Sequence, residues 1–145
     1  MALNDYPYND STAILTVTRQ EETAWAGCLD GEGDDWWYYL EVDHKEDRDT
    51  GLLRAVASRE TIWAAEYTDI GTVSYDPGTG TIQIALRDGW ELQDTGEPLK
   101  IQGYRDIPLK RPSPGSFNTY RGKETSVNVE PFLYYAIHLE VQFSR

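Results

Sequence analysis

The sequence predicts a mainly β, single-domain fold, an antiparallel β-sandwich or a small β-barrel, and three observations predict it. Short runs alternate apolar and polar residues with a period of two, as strands with one buried face require. Turn residues interrupt these runs about every ten positions. Alternating runs also outnumber any candidate with the 3.6-residue period of an amphipathic helix, so at most one short helix is expected. At 145 residues the chain can bury about two-thirds of its unfolded surface around one core. No repeat or Gly/Ser/Pro-rich linker divides it, so residues 1–145 read as one domain.

The elements follow in chain order. Ala13, Leu15 and Val17 alternate with Ile14, Thr16 and Thr18 in a β-branched run suited to a strand, and 23–28 reads as the next one. Acidic and glycine residues at 30–35 turn the chain before Trp36–Val42 runs on as a strand, and the charged stretch Asp43–Gly51 turns it again. Residues 58–67 fit a strand with Trp63, Ala65 and Tyr67 on one face, or a short helix capped by Ser58; the strand is preferred. The clearest hairpin joins 72–75 to 81–86 across Asp76-Pro77-Gly78-Thr79-Gly80, because Pro presets one turn angle and Gly supplies positive φ. A turn at 93–97 joins 90–92 to 99–104. Pro108, Pro112 and Pro114 mark about 105–124 as a long loop. In the last strand Leu133, Tyr135, Ile137, Leu139, Val141 and Phe143 form the core face, with Tyr134, Ala136, His138, Glu140 and Gln142 opposite.

Charge narrows the partners. The formal charge is −12, distributed as −10 over residues 1–50, −4 over 51–100 and +2 over 101–145. Such a surface repels phosphate backbones and anionic lipid, so no nucleic-acid partner is expected. No apolar run approaches membrane-spanning length, so no membrane insertion is expected either. A lone cysteine, Cys28, and an N-terminus without a leader pattern point to a cytoplasmic location. The basic residues Arg105, Lys110, Arg111, Arg121 and Lys123 surround the Pro-rich loop. They are read as complementing the acidic remainder within the fold or across a homo-oligomer contact.

No catalytic, cofactor or metal signature emerges. One Cys and two separated histidines, His44 and His138, cannot assemble a transition-metal ligand set. Asp30, Glu32 and Asp34 alternate, as do Asp47 and Asp49, but a seven-residue strand of roughly 23 Å separates the two groups, and both read as solvated turns. No nucleophile elbow, phosphate-cradling loop or metalloprotease motif is present.

The most informative run is Trp36-Trp37-Tyr38-Tyr39, within a composition of 5 Trp and 10 Tyr against 3 Phe. Alternation separates Trp36 and Tyr38 from Trp37 and Tyr39. With Trp36 and Tyr38 assigned to the core, Trp37 and Tyr39 join Gln102, Tyr104, Tyr134 and His138 on a face of mixed aromatic and amide character. Sugar rings stack on such platforms while amides and carboxylates bind their hydroxyls. The opposing expectation is that Trp37 and Tyr39 bury in a second core layer beneath a covering loop or a partner subunit. The leading reading is a non-catalytic ligand-binding β-domain, lectin-like, with a small molecule or glycan as ligand. One alternative is a small β-barrel cyclase or isomerase acting on an apolar substrate in its lumen. Another is an acidic inhibitor or immunity-type protein covering a basic protein surface.

Overall fold

The computed structural model describes residues 19–31 and 36–144, so the strand expected at 13–18 and residues 32–35 of the acidic turn lie outside the described residues. The described chain is mainly β, as its alternation predicts. In order the strands are β1 (Arg19–Ala26), β2 (Leu29–Asp30), β3 (Tyr38–Glu41), β4 (His44–Glu46), β5 (Leu53–Ala55), β6 (Ser58–Ala64) and β7 (Thr68–Asp76), followed by β8 (Thr81–Leu86), β9 (Trp90–Leu92), β10 (Leu99–Tyr104), β11 (Tyr120–Gly122), β12 (Ser126–Asn128) and β13 (Tyr134–Ser144). Among the described residues, a 3-10 turn at Pro114–Ser116 supplies the helical content.

β13 organises the sheet because its 11 residues are paired along both edges. On one edge β1 runs antiparallel to it from Arg19↔Ser144 to Ala26↔Ile137, and β3 continues at Leu40↔Tyr135 and Glu41↔Tyr134. On the other edge lie β10, from Leu99↔Leu139 to Tyr104↔Tyr134, and then β9, from Trp90↔Phe143 to Leu92↔Val141. The full path is β11-β10-β13-β1-β6-β7-β8-β12, with β4 and β5 forming a separate ribbon.

This sheet curls on itself. β7 lies three places from β13, roughly 14 Å away on a flat sheet, yet the Tyr75 and Tyr135 rings are 5.2 Å apart. The terminal strands of the path, β11 and β12, are joined by residues 123–125 alone. Four Cα steps cannot separate them by more than about 15 Å. The enclosed core includes Leu40, Ile62, Val73, Ile101, Tyr135 and Ile137. Each such side chain, fully buried, contributes about 1.5–3 kcal/mol.

The hairpin at 72–86 forms as its turn chemistry predicts. Asp76 Oδ1 accepts from Gly78 N at 2.8 Å, Gly80 N donates to Asp76 O at 2.8 Å, and Gly80 has φ +68°. Residues 58–64 are a strand, as preferred, but 65–67 form a turn and do not carry Ala65 and Tyr67 onto the Trp63 face. On β13, Tyr135, Ile137, Leu139 and Val141 are buried as the alternation requires.

Several details are corrected. The charged stretch after Val42 is more than a turn: Asp47 Oδ1 takes the amides of Asp49 and Thr50, and β4 and β5 pair around it. β9 and β10 do not pair with each other, because residues 93–98 loop around Glu140, with Gln93 N donating to Glu140 O and Glu140 N to Pro98 O. The Pro-rich stretch yields a strand at its end, β11. Trp36 and Trp37 precede β3 rather than belonging to it. Leu133 is 45% exposed instead of core, since β13 begins one residue later.

Candidate functional site

β13 is buried on both faces, and its outer face carries a second aromatic layer. Trp25 from β1, Ala136 from β13, Tyr39 from β3, Trp37 and Phe117 form this cluster, with Tyr104 and Tyr134 packed against it. Ring centroids lie 6.2 Å apart for Trp25–Trp37, 6.3 Å for Trp25–Phe117 and 5.4 Å for Trp37–Tyr39. Gly31 is the floor for Trp37, since a Cβ there would lie 1.7 Å from the indole. Phe117 belongs to the 105–119 segment, which crosses this face as a lid held by Arg121. One guanidinium nitrogen of Arg121 donates to Pro114 O, Gly115 O and Phe117 O, while the others bind Glu97 Oε1 at 2.9 and 3.1 Å. Arg111 lies 5.2 Å over the Trp25 ring. The basic loop residues Arg111 and Arg121 thus act within the fold.

The six residues expected to form the ligand face do share this outer face, but the exposure expected of Trp37 and Tyr39 is corrected. They are 1% and 6% exposed, and the reason is the lid, whose position no local pattern encodes. Tyr134 packs on Tyr39 at 6.1 Å. Gln102 is occupied by the lid, its Oε1 accepting from Asn118 N at 2.9 Å. His138 is edge-on to Trp25 at 4.8 Å and buried. Desolvation first, then the charges of Lys100 and Arg111, push its pKa down to about 4. Among the described residues His138 Nδ1 and Trp25 Nε1 have no hydrogen-bond partner.

Within the run 36–39, the aromatic residues that reach solvent are the pair expected in the core. Trp36 and Tyr38 are half-buried, and their rings, 5.9 Å apart, continue to Trp63 of β6 at a further 5.9 Å. Tyr38 and Trp63 of this staircase line a cleft of about 300 Å³ together with Cys28, Asp30, Glu60 and Tyr67. The cleft exists because β1 pairs with β6 only from Ala24 to Ala26 and then diverges. The divergence occurs at Gly27, with φ +146°, where a Cβ would lie 2.0 Å from Tyr39 O. Gly27 N still donates to Thr61 O at 3.0 Å, and Trp63 Nε1 to Gly27 O at 3.3 Å, which fixes the indole.

A strained turn closes the far side. Ala65 and Glu66 have φ of +47° and +75°, a conformation that costs L-residues roughly 1–2 kcal/mol each. The Tyr38 hydroxyl donates to Glu66 O at 2.8 Å and ties this turn to the staircase.

The cleft is electronegative. Desolvation and then Asp30 and Glu66 hold the Tyr38 phenol above its ordinary pKa, and Glu66 does the same, first by hydrogen bonding, for Tyr67. Desolvation followed by Glu60 pushes the Cys28 thiol up to about 11, so it is protonated at neutral pH and a poor nucleophile. The arrangement presents aromatic faces beside carboxylate acceptors, suited to binding rather than covalent chemistry. A signal for it existed in the sequence, since the alternation that separates Trp36 and Tyr38 from Trp37 and Tyr39 leaves either pair as the wet one. Trp63 and Glu60 join through long-range pairing and had no such signal. No family model matches the chain, and no curated protein and no solved structure matches it either.

Proposed function

We propose that the chain is a non-catalytic carbohydrate-binding domain whose site is the cleft lined by Tyr38, Trp63 and Tyr67, with Trp36 stacked behind Tyr38. The observation that carries this reading is the half-buried aromatic staircase standing beside the carboxylates of Asp30 and Glu60. Indole and phenol faces stack on the C–H face of a sugar ring, and carboxylates accept from its hydroxyls. The same carboxylates repel acidic sugars, so neutral and amino sugars are the ligand class. Catalysis in a lumen is disfavoured by the packing of the roll, whose interior holds Ile62, Val73, Tyr75 and Ile137.

A glycan array followed by calorimetry tests the reading. Neutral or amino-sugar glycans are expected to bind. Tyr38→Ala and Trp63→Ala should each weaken binding by about 1–3 kcal/mol, the usual loss for one anchoring aromatic. Trp37→Ala should instead cost about 3–5 kcal/mol of stability, as large core truncations do. Binding restricted to acidic glycans, or unchanged in both cleft variants, would refute the proposal.

A further inference from the structure

We propose a second ligand site of opposite charge preference, a pocket at the β4–β5 end of the roll that takes a small organic carboxylate with an apolar body. It shares no residue with the carbohydrate cleft. Its volume is about 450 Å³, inside the range of small-molecule sites. The walls are apolar: Tyr75, Pro77, Pro131 and Phe132, with Ala55 and Leu133 at the sides.

The walls are also held in place. The Tyr135 hydroxyl donates to Glu130 O at 2.6 Å and accepts from Phe132 N at 3.0 Å, clamping the 130–132 backbone. The Phe132 ring lies on Gly103, where a Cβ would approach it to 2.0 Å. Tyr75, 2% exposed and 5.2 Å from Tyr135, forms a rigid floor. Little ordering remains to be done when a ligand enters, which favours affinity.

Charge selects the occupant. In a chain with 25 acidic side chains, the lining of this pocket contains none, and its ionisable members besides Tyr75 are His44 and Arg105. Arg105 lies 5.5 Å over the Phe132 ring, and among the described residues it forms no ion pair. Its guanidinium is thus available for a bidentate carboxylate contact, the geometry that arginine satisfies best. His44 Nδ1 donates to Val42 O at 2.9 Å, which makes Nε2 of the neutral ring an acceptor and leaves Arg105 as the group that binds a carboxylate. An apolar chamber with a guanidinium at its rim and no carboxylate in its lining matches an aromatic or branched monocarboxylate: the body desolvates against Phe132 and Tyr75, and the carboxylate meets Arg105.

The test titrates the full chain with benzoate, 3-phenylpropionate and 3-phenylpropionamide by calorimetry, with backbone amide shifts locating the contact. At least one carboxylate should bind with a dissociation constant below about 1 mM and shift Ala55, Phe132 and Leu133. The amide should bind about tenfold or more weakly, the loss expected for a charge-assisted hydrogen bond. Arg105→Gln should weaken carboxylate binding similarly with an unchanged circular-dichroism spectrum, and Trp63→Ala should leave it intact. Failure of both carboxylates to bind, equal binding of acid and amide, an unaffected Arg105→Gln, or shifts confined to other surfaces would overturn the proposal. Loss of glycan binding in the cleft variants would not bear on it.

Discussion

At the scale of single residues, His138 couples the second aromatic layer to pH. Its folded pKa, near 4, lies below the ordinary histidine value of 6.5, so the unfolded chain takes up the proton first as pH falls. Stability associated with neutral His138 is present above about pH 6.5 and is lost between there and about pH 4, by up to about 3 kcal/mol. Lys100 and Arg111, facing the ring, add to the penalty on its charged form. His138→Phe should remove this part of the slope when urea unfolding is followed across that window; an unchanged slope would show that carboxylates account for it. Asp69 titrates lower because Arg87 hydrogen-bonds it, so its contribution falls outside most of the same interval. Residue-level legibility was mixed for a physical reason. Period-two alternation separates Trp37 and Tyr39 from Trp36 and Tyr38 without ambiguity, but which pair is dry depends on Phe117, about 80 residues away in sequence, and a local pattern carries no record of that.

Among the elements, strands with a clear alternation or an adjoining turn signal were readable, the three-residue β9 included, whereas the start of β1 and all of β11 and β12 were not. β13, β7 and β8 announce themselves by alternation and by the turn between Asp76 and Gly80. β11 and β12 have three residues each, too few to show a period, and exist because β10 and β8 offer them hydrogen-bonding edges. The turn at 93–97 was legible, yet its partners were not, since a turn fixes a change of direction and not which edge receives the next strand. The 105–119 lid depends on Arg121, which gathers three carbonyls with one nitrogen and holds Glu97 with the others. Arg121→Ala should cost about 2–3 kcal/mol, because hydrogen bonds to a charged group are worth more than neutral ones. It should also open 105–119 to limited proteolysis. Arg121→Lys should rescue little, as an ammonium cannot span the same fork. Resistance to protease at wild-type level in both variants would contradict the role given to this side chain.

For the whole molecule, the balance of charge and the order of pairing matter most. A net charge of −12 opposes a compact state, and the ion pairs found, such as Arg87–Asp69 and Arg121–Glu97, relieve it only locally. Raising the salt from about 10 to 150 mM should therefore raise the melting temperature, because the Debye length shrinks from about 30 to 8 Å. A fall in melting temperature would mean that attractive pairs dominate. The predicted choice between sandwich and barrel also belongs to this scale, and alternation could not make it, since curling depends on how far strands twist and on which edges meet. The central position of β13 bears on biosynthesis. A ribosome makes β1, β3, β9 and β10 before the strand that unites them, so each leaves the exit tunnel with one backbone edge unmatched. Ala26 must wait for Ile137, a separation of the kind that slows folding by raising contact order. During that wait the nascent chain carries exposed pairing edges, and its early excess of negative charge, −10 in the first 50 residues, keeps neighbouring nascent chains apart until the seam is filled.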